Sequence, residues 1–131
     1  MKILFVCLGN ICRSPLADGI LRAKVKQHKL SVEVDSAGTS SWYEGENPDA
    51  RATACARKYG VDISFLVARQ FSKNDFIEFD KIYVMDSSNY RDVLKQAQTK
   101  EDEHKVEMIL NLVEPGKNKS VPDPYFGGDD G

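Results

Sequence analysis

The sequence predicts an α/β fold. The expected form is a single three-layer domain spanning 1–131, with a four-stranded parallel sheet of order 2-1-3-4 flanked by helices and a phosphate loop after the first strand. Three observations predict it. Runs of strand formers alternate with capped, periodic segments, the pattern of a doubly wound parallel sheet. The first run, KILFV (2–6), is continuously apolar, as a strand covered on both faces must be. It passes through CLGNICRS directly into a helix start. Right-handed crossovers leave few topologies, and ligands of such sheets bind beyond the carboxyl ends of the strands, where strand order reverses.

Each element has its own signal. In SPLADGILRAKVKQH, Pro15 suits a first helical position and Ser14 the cap before it. Leu16, Ile20, Leu21 and Val25 recur at helical spacing, so 15–28 reads as an amphipathic helix. SVEVDSAG (31–38) alternates and ends in small residues, as a second strand would. TSSWYEGENP is a loop. PDARATACARKYG (48–60) is an Ala-rich helix closed by Gly60, with Cys55 expected on its buried side. SKNDFIEFD (72–80) reads as a short helix capped by Ser72, KIYVMD (81–86) as the third strand, and SSNYRDVLKQAQ (87–98) as a capped helix. KVEMILNLV (105–113) holds a short fourth strand, and EPGKNKSVPDPYFGGDDG is a loop. There is no internal repeat and no low-complexity segment.

Composition narrows the function. A chain of 131 residues, 41% hydrophobic and 29% charged, is that of an ordinary globular protein. It can bury about 65–70% of its unfolded surface without disulfide staples. A formal net charge of −2 argues against a general nucleic-acid partner. No apolar run approaches the roughly 20 residues of a membrane span, and ILFVCL is too short for a signal-peptide core, so a cytoplasmic protein is expected. The odd set Cys7, Cys12 and Cys55 is unlike a secreted disulfide framework. His28 and His104 stand far apart, and no spacing suits zinc; neither metal nor cofactor is expected.

The loop after the first strand carries the chemistry. A helix amino terminus offers unpaired N–H groups and a positive dipole end, which attract anions. Gly9 is expected to turn successive N–H groups inward as a nest. Arg13 adds a planar fork of donors that matches phosphate oxygens. Cys7 opens this cradle, where such surroundings favour the nucleophilic thiolate. Ser14 can donate to that sulfur, and Asn10 can fix the loop by side-chain hydrogen bonds. The string GxxxxGK[ST] is absent, so this is not a nucleotide P-loop. C-x5-R alone is a weak signal; the full strand–C-x5-R-S-P–helix context is not. A thiolate attacking a phosphate ester needs a proton donor for the leaving oxygen. Asp123, between prolines in VPDPYFGG, is a candidate, although PDP by itself reads rather as a surface turn.

Four ordered stretches resemble the low-molecular-weight protein tyrosine phosphatases: FVCLGNICRSP, VDSAGTSSWYEGENPDAR, ARQFSKNDFIEFDKIYVMDSSNYRDV and VPDPYFGG. The resemblance implies Cys7 as nucleophile, Arg13 as phosphate clamp, and Asp123 as general acid and then base. It implies a supporting hydrogen-bond network of Asn10, Ser14 and Ser36, and substrate walls from Leu8, Ile11, Trp42, Tyr43 and Tyr125. Without it, Trp42 and Tyr125 read as ordinary partly buried aromatics. Ile11 stands where related phosphoarginine phosphatases place threonine, which implies an aromatic ester. The implied substrate is a phosphotyrosine protein and the product inorganic phosphate, with the enzyme a monomer or weak homo-oligomer. Cys12 is implied to form a reversible disulfide with Cys7 after oxidation; simple packing is the other reading.

Three departures stand out. Asp18 replaces a frequent glutamate; the histidine often found before ARQ is absent from SFLVARQ; and the chain ends before the helix that usually follows GG. Two alternatives to a phosphatase are an arsenate reductase on the same scaffold, which needs a downstream cysteine pair, and a non-catalytic phosphate-binding module.

Overall fold

A computed structural model describes residues 1–112 and Lys117. The strands are β1 (Lys2–Cys7), β2 (Glu33–Gly38), β3 (Lys81–Val84) and β4 (Val106–Met108). They form one sheet in the order β2-β1-β3-β4, and every pair is parallel. The helices are α1 (Arg13–His28), α2 (Ala50–Lys58), α3 (Asp75–Glu78), α4 (Ser87–Leu94) and α5 (Lys100–Lys105). The expected topology and strand order are therefore found.

β1 lies inside the sheet, between β2 and β3, which explains its unbroken apolar run. Its side chains alternate between two layers. Leu4 and Val6 join Ala37, Ile82, Val84 and Val93 on the face that α4 covers. Phe5 and Cys7 join Met85 on the other, against Ala17 and Leu21 of α1. Ile82 is completely buried at the centre, where truncation to alanine costs about 2–5 kcal/mol. A third cluster, with Cys12, Ala52, Ala56, Ile63 and Leu66, seats α2 beneath the loop that follows β1.

Several local expectations are corrected. α1 starts at Arg13 with Cys12 at the cap position, so Ser14 lies inside the first turn rather than capping it. Its hydroxyl is engaged elsewhere, as described below. The buried face of α1 carries Arg13, Ser14, Pro15, Asp18 and Gly19, while Ile20 is exposed. The apolar spacing failed there because the amino half of α1 packs around a polar site. Cys55 is exposed, since α2 buries Ala52 and Ala56, one turn apart, and turns Cys55 outward. α3 is a single turn, and its Ser72 is not a side-chain cap: the Ser72 amide donates to the Asp75 carboxylate at 2.9 Å. α4 ends at Leu94, four residues early.

α5 was not expected at all. Thr99 caps it by accepting from the Asp102 amide at 3.0 Å, and the Asp102 carboxylate accepts from the Gln98 amide. None of the described helices is long and apolar enough to cross a membrane. The expectation about the chain's ending falls outside the described residues.

Candidate active site

The carboxyl end of β1 delivers Cys7 into the loop that opens α1. The residue is buried, and its Sγ lies 3.0 Å from the Ser14 hydroxyl. Ser14 Oγ also accepts from Asn10 Nδ2 at 2.8 Å. The single hydroxyl proton then has two acceptors, the sulfur and the Ala37 carbonyl at 3.5 Å. The sulfur is much the nearer, and across that contact either atom can be the donor.

Asn10 holds the turn. Its φ of 58° lies in the left-handed region, and its Oδ1 accepts from the Arg69 amide at 3.1 Å. The left-handed residue is thus Asn10 and not Gly9, a type that tolerates it because its amide bonds locally. Gly9 is required for space: a Cβ there would stand 2.7 Å from the Tyr43 ring. Gly38, at the end of β2, is hemmed in by backbone rather than a side chain: a Cβ would meet the Leu8 carbonyl at 2.8 Å and the Gly9 backbone at 3.0 Å. That contact lets the Thr39 and Ser40 amides donate to the Cys7 and Leu8 carbonyls, each at 2.9 Å.

Arg13 is buried, and its Nη1 donates to Asp86 at 2.9 Å. Asp86 follows β3 and also caps α4 by accepting from the Asn89 amide at 2.8 Å. One carboxylate therefore ties the arginine of the loop to the next strand's end. Ile11 and Cys12 are buried; Cys12 packs in the α2 cluster, and the Ile11 carbonyl accepts from the Asp49 amide. Leu8 and Tyr43 are partly exposed, and Trp42 is 73% exposed. Asp123 and Tyr125 lie outside the described residues.

Ser36 is buried and its side chain meets Asp18. Asp18 is completely buried, pairs with Arg22 one turn on, and leaves Oδ2 without a hydrogen-bond partner among the described residues. Burial raises its carboxyl above the ordinary range, against the opposing pull of Arg22. Where a histidine was missed before ARQ, Leu66 packs beside Cys12, and the Arg69 main chain supports Asn10.

Residues that sequence reasoning did not select are Asp86, Arg69, Asp75 and Asp35. Arg69 donates from Nη1 and Nη2 to the two oxygens of Asp75, both at 3.0 Å, and from Nε to Asp35 at 3.1 Å. Burial opposes the charge on Arg69, but Asp75 and then Asp35 outweigh it and hold the guanidinium pKa above its usual value. The position of Asp86 just past an apolar strand, opening a capped helix, was the one local sign available.

Fold and loop together define the class: a parallel α/β protein whose first strand ends on a buried thiol in the loop that opens the first helix. A family model described as low molecular weight phosphotyrosine protein phosphatase matches residues 2–131. The human low molecular weight phosphotyrosine protein phosphatase is 44% identical over 131 residues, covering 98% of this chain and 82% of its own length. A crystal structure of a protein tyrosine phosphatase from Entamoeba histolytica superposes with a TM-score of 0.90 at 36% identity, over 99% of this chain and 83% of that one. The structure of a Drosophila arginine phosphatase gives 0.87 at 36% identity, over 96% of this chain and 82% of that one. This chain belongs to the low molecular weight phosphotyrosine protein phosphatase family.

Proposed function

We propose that this protein hydrolyses phosphotyrosine monoesters in proteins through a phosphocysteine intermediate. The observation that carries the reading is the buried Cys7 sulfur at the end of β1, 3.0 Å from a Ser14 hydroxyl that also accepts from Asn10. The thiolate attacks phosphorus as Arg13 and the loop amides hold the phosphate oxygens. The bond from phosphorus to the phenolic oxygen breaks, and Asp123 supplies the proton to that oxygen. Water then attacks the phosphocysteine, Asp123 takes its proton, and the sulfur–phosphorus bond breaks to release inorganic phosphate. Tyr43, Trp42, Leu8, Ile11 and Tyr125 are the side chains proposed to flank the substrate ring. A cytoplasmic setting, in which Cys7 stays reduced and a Cys12 bridge guards it from over-oxidation, belongs to the same reading.

The test compares phosphotyrosine, phosphoserine and phosphoarginine peptides on the wild type and on Cys7→Ser. Expected is turnover of phosphotyrosine above the other two, abolished in the variant, with phosphate binding retained. Hydrolysis that survives Cys7→Ser rejects the mechanism. Faster turnover of phosphoarginine moves the chain to the specificity named for its Drosophila structural neighbour.

A further inference from the structure

We infer that Arg69 is a positioning residue for the Cys7 loop: gripped by Asp35 and Asp75, it fixes the main-chain amide that holds Asn10, and through Asn10 and Ser14 it keeps the sulfur reactive. This rests on the phosphatase reading only for its kinetic readout.

The chain of contacts is continuous. Asn10 sits at a φ of 58°, in the left-handed region, which asparagine tolerates when its amide is held by hydrogen bonds. Both ends of its amide are engaged, Oδ1 by the Arg69 N–H and Nδ2 by Ser14. Arg69 is located independently of that bond. Its carbonyl accepts from the Gly38 amide at 2.8 Å, its Nε reaches Asp35 on β2, and its fork closes on Asp75 at the start of α3. Asp75 is itself buried and takes the Ser72 amide as well. Two separate elements, β2 and α3, thus converge on one side chain, whose backbone then meets the loop. Without the guanidinium, residue 69 loses its ties to Asp35 and α3 and keeps only main-chain bonds such as that to Gly38. Asn10 relaxes, and the Ser14 proton loses its direction toward the sulfur.

The variants are Arg69→Gln and Arg69→Lys. The primary readout is alkylation of Cys7 by iodoacetate across the pH range, followed by peptide mass mapping, with inorganic phosphate as competitor. kcat and KM for para-nitrophenyl phosphate and the urea midpoint complete the set. Arg69→Gln is expected to slow Cys7 alkylation at mildly acidic pH about tenfold, move its pH profile upward, and lower kcat by about 100-fold, with a smaller change in KM. Arg69→Lys recovers part of this, since an ammonium keeps the charge but not the fork. An Arg69→Gln protein with a lowered urea midpoint but the wild-type alkylation profile reduces Arg69 to a structural salt bridge and overturns the inference. If that variant does not fold, Asp35→Asn carries the test: it keeps the Asp75 pair and should shift the alkylation profile in the same direction by less, while an unmoved profile overturns the inference. Alkylation needs no turnover, so a wild type inert toward the ester would sink the phosphatase reading while leaving this one to be judged on its own.

Discussion

At the amino end of the sheet, Lys2 pairs with Glu33 and Glu78 at 3.6 and 3.4 Å in open solvent. At the carboxyl end, Arg13 and Arg69 pair with Asp86, Asp35 and Asp75 at 2.9 to 3.1 Å, with Arg13 and Asp75 almost wholly withdrawn from water. Both ends pair a basic side chain with a carboxylate, and the consequences are opposite. Exposed pairs are screened and contribute little. Buried pairs cost desolvation, and losing one partner strands the other's charge. One end of the sheet is therefore tolerant, and the other has little freedom to change.

The comparison is broken most severely by Asp86→Ala. It removes a carboxylate partner of the buried Arg13 and uncaps α4, so a loss of about 3 kcal/mol in urea unfolding is expected, together with a fall in kcat/KM. A variant as stable as wild type would show that Arg13 does not depend on Asp86. Next comes Ser14→Ala. It removes the donor to Cys7 and frees Asn10, and about 100-fold should be lost in kcat with about 1–3 kcal/mol of stability. Unchanged kcat would place the sulfur's support elsewhere.

Asp18→Asn sharpens the contrast. The folded protein holds the Asp18 proton more tightly than the unfolded chain does. Its contribution to stability is full below about pH 3.9 and is lost as pH rises through the raised folded value. The asparagine variant lacks this dependence, so its urea midpoint should gain on wild type from about pH 4 to pH 7. Parallel curves would contradict the burial assigned to this carboxyl. Lys2→Ala sits at the small end: no resolvable change in the urea midpoint is expected, at low or high salt.

How much of this was legible in the sequence follows the range of the interactions. The strands and the Cys7–Arg13 loop were readable because each is written within about ten consecutive residues, and the right-handed crossover rule narrowed the strand order. Arg13–Asp86 spans 73 positions and Arg69–Asp35 spans 34, and neither leaves a periodic mark. Asn10 was selected for its side chain, while the turn of the loop was expected from Gly9; the left-handed residue is Asn10. Ile20 and Cys55 were misplaced for one reason. Helical spacing tells which residues share a face, and only tertiary contacts tell which face is inside. α5 was readable in principle, since Thr99 and Asp102 form a capping pair three residues apart.

The exposed indole beside Tyr43 has an optical consequence. Trp42 is the chain's one tryptophan and already stands largely in water. Denaturant can move its emission little further to the red, so folding is better followed by circular dichroism. Its fluorescence instead watches the loop that rests on Gly9, where quenching or a blue shift would register whatever arrives there.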